Sequence, residues 1–244
     1  MSPDQPIDRP NRPFDPRVIC ALDVPTTDEA RALVERIGDA VGFYKVGLQL
    51  FASDGMGLAR ELKAAGRQVF LDWKLHDIGA TVEKSTAVLA GAGCDLLTVH
   101  ARPQVMAAAA RGAAGSDLKI LGVTVLTSLT EADLQADDHS LSAADLVELR
   151  VRQALDAGVH GVVSSPHEAA RVREIAQAAG RDDFLIVTPG VRPTGAALDD
   201  QARAATPASA LESGATHLVI GRPITAAGDP RAAAQAISAE ITLI

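Results

Sequence analysis

Short, nearly continuous apolar runs alternate with Ala-rich amphipathic stretches along almost the whole chain. The runs at 18–23, 42–47, 69–74, 95–100, 119–126, 161–165, 184–188 and 217–221 read as strands covered on both faces. The segments between and after them, at 27–37, 57–65, 81–92, 104–112, 143–157, 166–179, 207–213 and 230–241, read as helices. Thr26 or Thr27 before Asp28-Glu29, and Ser142 before Asp145, supply helix starts. Gly66, Gly93, Gly158, Gly180 and Gly214 supply helix ends.

Eight strand–helix units predict an α/β fold, a single-domain (β/α)8 TIM barrel over residues 17–244. A doubly wound open sheet is the main alternative. No GxGxxG follows the first strand, and the regular eightfold count favours closure. Residues 1–16, rich in Pro and Asp, read as a flexible N-terminal arm. The polar, aperiodic loop 190–205 reads as a lid.

In such a barrel chemistry sits where the strands end. The predicted strands deliver Asp23, Lys45, Asp72 with Lys74, His100, Thr124 with Thr127, Ser164-Ser165, Arg192 and Gly221-Arg222 to that rim. Asp72 and Lys74, two apart on a strand, share a face, and Asp77 follows just beyond. Lys45, Asp72, Lys74 and Asp77 thus form one expected cluster of alternating charge. Grouped charges at the end of an apolar strand cost desolvation, and isolated buried pairs stabilise poorly. That favours chemistry over a merely structural network. Asp23, Asp72 and Asp77 offer carboxylates to a cation such as Mg2+, but a lysine between them already neutralises them locally.

The endings of strands seven and eight point to an anion. Gly190 and Gly221 permit close backbone approach, and Arg192 and Arg222 offer forked donors for phosphate oxygens. His139, His160, His167 and His217 show no metal-ligand spacing and read as surface or packing residues, and His76 as loop support. No GxSxG nucleophile motif is present.

Composition narrows the class. With 47% hydrophobic and 22% charged residues among 244, a full-sized core is expected. A net charge of -8 argues against a nucleic-acid or membrane surface, but not against a small anionic ligand in one cationic pocket. Cys20 and Cys94 lie in apolar runs without CxxC spacing and read as buried free thiols. No signal pattern and no apolar run of about 18 residues is present, so a cytoplasmic location is expected.

The segment LDWKLHDIGATV at 71–82 resembles the D-x-K-x-x-D-I-x-x-T signature of the orotidine 5′-phosphate decarboxylase family. A-L-D at 21–23, K-V-G at 45–47, V-T-V-L-T-S at 123–128, T-P-G-V-R-P at 188–193 and V-I-G-R-P-I at 219–224 are also similar to that family's strand ends, in its order. The resemblance spans roughly residues 18–240 and looks like the bacterial form of the enzyme.

It implies decarboxylation of orotidine 5′-monophosphate to UMP, without metal or other cofactor, in a cytoplasmic homodimer. Lys74 would be the proton donor. Asp72 would lie against the substrate carboxylate, Lys45 at the ribose hydroxyls, and Asp23 at the ribose or a neighbouring cation. Asp77, Ile78 and Thr81 would reach into the partner's site. Thr127 and Ser165 would contact the substrate, Ser165 at the pyrimidine. Arg192, Gln201, Gly221 and Arg222 would grip the phosphate, with Gln201 on the lid. Two departures stand out: Gly79-Ala80 replaces the family's Pro-Asn, and Trp73 replaces an aliphatic residue and by alternation faces the helices. A Mg2+-dependent sugar-phosphate decarboxylase or synthase on a related barrel, and a non-catalytic phosphometabolite-binding protein, are the alternatives.

Overall fold

The computed structural model describes residues 14–193 and 205–242. Its strands are β1 (Val18–Ala21), β2 (Phe43–Gly47), β3 (Gln68–Leu75), β4 (Leu96–His100), β5 (Lys119–Val123), β6 (Gly161–Val163), β7 (Leu185–Pro189) and β8 (His217–Ile220). They pair in sequence order, all parallel, and β8 closes onto β1. The helices are α1 (Thr27–Ile37), α2 (Leu48–Phe51), α3 (Gly55–Ala64), α4 (Gly79–Ala90), α5 (Pro103–Gly112), α6 (Glu131–Ala136), α7 (Ala143–Asp156), α8 (Ala169–Ala178), α9 (Pro207–Glu212), α10 (Arg222–Thr225) and α11 (Pro230–Thr242). The barrel expected from the alternating runs is the barrel observed.

Each strand sends alternate residues into two cores. Ile19, Phe43, Phe70, Leu96, Leu121 and Val187 plug the barrel interior. Their neighbours Cys20, Tyr44, Leu71, Leu97, Ile120 and Ile186 pack under the helices. That double burial is why the strands read as continuous apolar runs. Both cysteines are buried and free. Trp73 packs outward, its ring centroid 4.8 Å from that of Phe51 on α2.

The caps act as their chemistry dictates. Thr26 and Ser142 accept from the backbone N–H groups of Glu29 and Asp145. Gly66, Gly93, Gly158, Gly180 and Gly214 all take positive φ at turns after helices. Differences from expectation are local. α4 begins at Gly79 rather than Thr81, and β5 stops at Val123, after which the Thr124 hydroxyl turns back to Val163 O. The short helices α2, α6 and α10 follow strands two, five and eight; α6 starts on a Thr130–Asp133 capping box. Of the expected arm at 1–16, residues 1–13 lie outside the described residues. So do 194–204 of the expected lid, including Gln201.

Candidate active site

The barrel's rigid strands aim their last inward residues into one cavity of about 480 Å3. Asp23, Lys45, Asp72 and Lys74 line one side, from the ends of β1, β2 and β3. Gly190, Arg192, Gly221 and Arg222 line another, from the ends of β7 and β8. Strands three and seven stand half a turn of the barrel apart, so Asp72 and Lys74 face Gly190 and Arg192 across the mouth, while β1 with Asp23 adjoins β8 with Gly221. Thr127 completes the rim after β5.

The charged side is one connected chain. Lys45 Nζ lies 2.8 Å from Asp23 Oδ1 and 3.5 Å from Asp72 Oδ2. Asp72 Oδ1 in turn accepts from Lys74 Nζ at 2.8 Å. Lys45 is only 7% exposed, and its ammonium sits between two carboxylates. Among the described residues no group of three or more His, Cys, Asp or Glu is arranged to hold a metal. Burial pushes the Asp72 carboxyl up, but Lys45, Lys74 and the Thr98 hydroxyl outweigh it and hold it below its ordinary value.

β3 is irregular where this chain of charge is made. Leu71 registers with Leu97 and Leu75 with Val99, so β3 spends four residues where β4 spends two. Within that bulge Lys74 takes φ 49°, a left-handed conformation that a side chain rarely adopts. Through the bulge Asp72 and Lys74 keep to the mouth and Trp73 to the outer core.

Asp77 does not join this group within one chain. Its carboxylate accepts from Ile78 N at 2.6 Å and is exposed outside the cavity. Ile78, 70% exposed, and Thr81 also lie outside it. Ser164 rather than Ser165 lines the cavity, while the Ser165 backbone N–H donates to Glu168 Oε2 at 3.0 Å. Thr98 is a site residue that the sequence reading passed over, because a β-branched residue in the run Leu96–His100 looks like core. His100 and His76 pack ring to ring at 5.0 Å beside the mouth. Burial, then His76 and the cations Arg150, Lys74 and Arg102, push the His100 imidazole down.

The arginine side is half-enclosed. Arg192 is buried, its Nη1 donating to Val191 O at 3.3 Å, and Arg222 opens α10 directly after Gly221. Gly190 takes φ 77°, which a residue with a Cβ would strain to adopt.

Comparison with known proteins places this geometry. Residues 16–237 match the model of the orotidine 5′-phosphate decarboxylase / HUMPS family. Proteins named orotidine 5′-phosphate decarboxylase from Caulobacter vibrioides and Cereibacter sphaeroides are 68% and 58% identical over 93% of this chain and 97% of their own. A crystal structure of orotidine 5′-phosphate decarboxylase from Lactobacillus acidophilus superposes with TM-score 0.81 at 37% identity, covering 93% of this chain and 99% of that one.

Proposed function

Since the chain belongs to the orotidine 5′-phosphate decarboxylase / HUMPS family, we propose that its barrel mouth converts orotidine 5′-monophosphate to UMP with Lys74 as proton donor. The reaction is a step of pyrimidine biosynthesis. The observation that carries the assignment of roles is the continuous Asp23–Lys45–Asp72–Lys74 chain sharing one cavity with Arg192 and Arg222.

The chemistry follows from charge. The bond from the pyrimidine ring to its carboxylate breaks, CO2 leaves, and the bonding pair stays on the ring carbon. That carbanion needs a fixed positive charge close by, already oriented before the bond breaks. The Lys74 ammonium, held by Asp72, supplies it and then gives up a proton to the carbon. Asp72 lies where a bound carboxylate meets a like charge, an interaction that weakens as CO2 departs. Lys45, held between Asp23 and Asp72, keeps both carboxylates in place and offers its ammonium to the ribose hydroxyls.

Arg192 and Arg222, with the backbone at Gly190 and Gly221, grip the phosphate, Thr127 contacts the rest of the nucleotide, and Ser165, next to the cavity-lining Ser164, reaches the pyrimidine once substrate is bound. Gln201, on the lid, closes over the phosphate. Binding energy from that remote group holds the reacting carbon against Lys74. Asp77, Ile78 and Thr81 serve the site of a second copy. Exposed Leu48, Phe51 and Ile78 give that copy an apolar face to cover.

The test is direct. Purified protein is mixed with orotidine 5′-monophosphate and a strong chelator, and the loss of its absorbance is followed together with CO2 release. Stoichiometric conversion to UMP is the expected result. No conversion at high enzyme concentration defeats the proposal, and activity that vanishes with chelation points to a Mg2+-dependent relative instead.

A further inference from the structure

The bulge in β3 leaves a problem that one hydroxyl solves. Where β3 spends four residues against two of β4, the Lys74 N–H falls out of the regular strand ladder. A backbone donor left unpaired in this wall would be costly. It is accepted by Thr98 Oγ1 at 3.0 Å, from the neighbouring strand. The same hydroxyl donates its one proton to Asp72 Oδ1 at 2.9 Å. Asp72 Oδ1 also receives Lys74 Nζ at 2.8 Å. The result is a closed ring: Lys74 backbone, Thr98 hydroxyl, Asp72 carboxylate and Lys74 ammonium.

Thr98 has no accessible surface, and it points inward above Leu96 in the barrel plug. A valine would fill the same space and pack as well. What valine lacks is the oxygen, and both of the oxygen's bonds end on the two residues that carry the charge. The left-handed backbone at Lys74 is strained and persists only where its surroundings hold it. Thr98 is the neighbour that holds its N–H.

We infer that Thr98 is a positioning residue for the decarboxylation, fixing the backbone of Lys74 and the carboxylate of Asp72 so that the ammonium faces the reacting carbon. The inference rests on the proposed role of Lys74. Without the hydroxyl, the Lys74 backbone relaxes and Asp72 loses one of its anchors. The ammonium then moves by a fraction of its working distance, enough to cost about 10²-fold in rate. Substrate affinity, carried by the arginines across the cavity, changes little.

Thr98→Val, Thr98→Ala and Thr98→Ser are compared with the parent by steady-state kinetics and thermal unfolding, with Lys74→Ala in parallel. The expected result is a kcat lower by about 10- to 100-fold for Val and Ala, with KM within about threefold. Thr98→Ser, which keeps the oxygen, should recover most of the lost turnover. A purely structural role would lower the melting temperature without this split and without rescue by Ser. Folded Thr98→Val with parental kcat overturns the inference, as does Thr98→Ser no better than Thr98→Ala. If Thr98→Val does not fold, the Ala and Ser pair decides. Substantial turnover by Lys74→Ala refutes the underlying role of Lys74, whatever Thr98 does. Loss in Lys74→Ala with parental rates in the Thr98 variants refutes this inference alone.

Discussion

A Cβ placed on Gly47 would lie 2.9 Å from Asp23 Oδ1. It would also lie 3.1 Å from Lys45 Nζ, the other member of the ion pair. The backbone at Gly47 is extended, with φ -89°, so glycine is required here for space and not for conformation. Gly47→Ala should therefore leave the barrel folded, since the clash falls on the ends of two flexible side chains, but should push Asp23 and Lys45 apart. Turnover is expected to fall by about 10-fold or more, with the melting temperature within a few degrees of the parent. Unchanged kinetics would show that the Asp23–Lys45 contact has no bearing on the reaction.

The turn after β3 offers the opposite case, a change that should help. Gly79 is the first residue of α4, where a helix has no partner for its N–H. Ile78 before it has φ -59° and ψ 148°, the extended backbone a following proline demands. A Cβ at residue 79 would meet only Ala108 Cβ, at 3.7 Å, which is ordinary contact. Gly79→Pro should therefore stabilise the fold by about 0.4–1 kcal/mol through the unfolded chain. The melting temperature should rise by about 1–4 °C, measured by calorimetry. A fall would mean that the turn needs glycine's freedom.

The base of the barrel carries a pH dependence. His217, at the start of β8, packs edge-on against Phe43, and its Nδ1 lies 3.0 Å from Thr216 Oγ1. Burial, partly opposed by Asp15 and reinforced by Arg17, pushes its imidazole down to about 4. In the unfolded chain the same group titrates near ~6.5. Between those values the unfolded state binds the proton and the folded state does not. The contribution is complete above about pH 6.5 and is lost as pH falls towards 4, by at most roughly 3 kcal/mol. Urea midpoints taken from about pH 7.5 down to about pH 5 should fall, and His217→Gln should flatten that slope. An unchanged slope in the variant would assign the acid sensitivity to other groups.

Most of the fold was legible because both signals it needs are local. Strands buried on two faces are apolar without interruption, and a helix between them shows its own period and caps, as Thr27–Ile37 does residue for residue. The strand-end rule then located Asp23, Lys45, Asp72, Lys74, Arg192 and Arg222 on one cavity. What escaped the sequence depends on register. Strict alternation already puts Asp72 and Lys74 on one face, so nothing in the sequence signals the bulge that holds them there. Thr98, whose role comes entirely from that bulge, reads as an ordinary strand residue. Asp77 follows Lys74 by three residues, yet within one chain Asp23 fills the fourth place beside Lys45, Asp72 and Lys74. The strand-end rule puts Asp23 and Lys45 on one rim, and the pairing of β1 with β2 makes them neighbours.

The central claim is that the Lys74 ammonium both stabilises the carbanion and protonates it. Lys74→Ala tests it most directly, because the side chain is partly exposed at the mouth and its removal leaves the two barrel cores untouched. Turnover of orotidine 5′-monophosphate should fall by at least about 10³-fold, while the variant keeps a parental circular dichroism spectrum and still binds UMP through its phosphate. A folded Lys74→Ala protein that retains substantial decarboxylation would contradict the account.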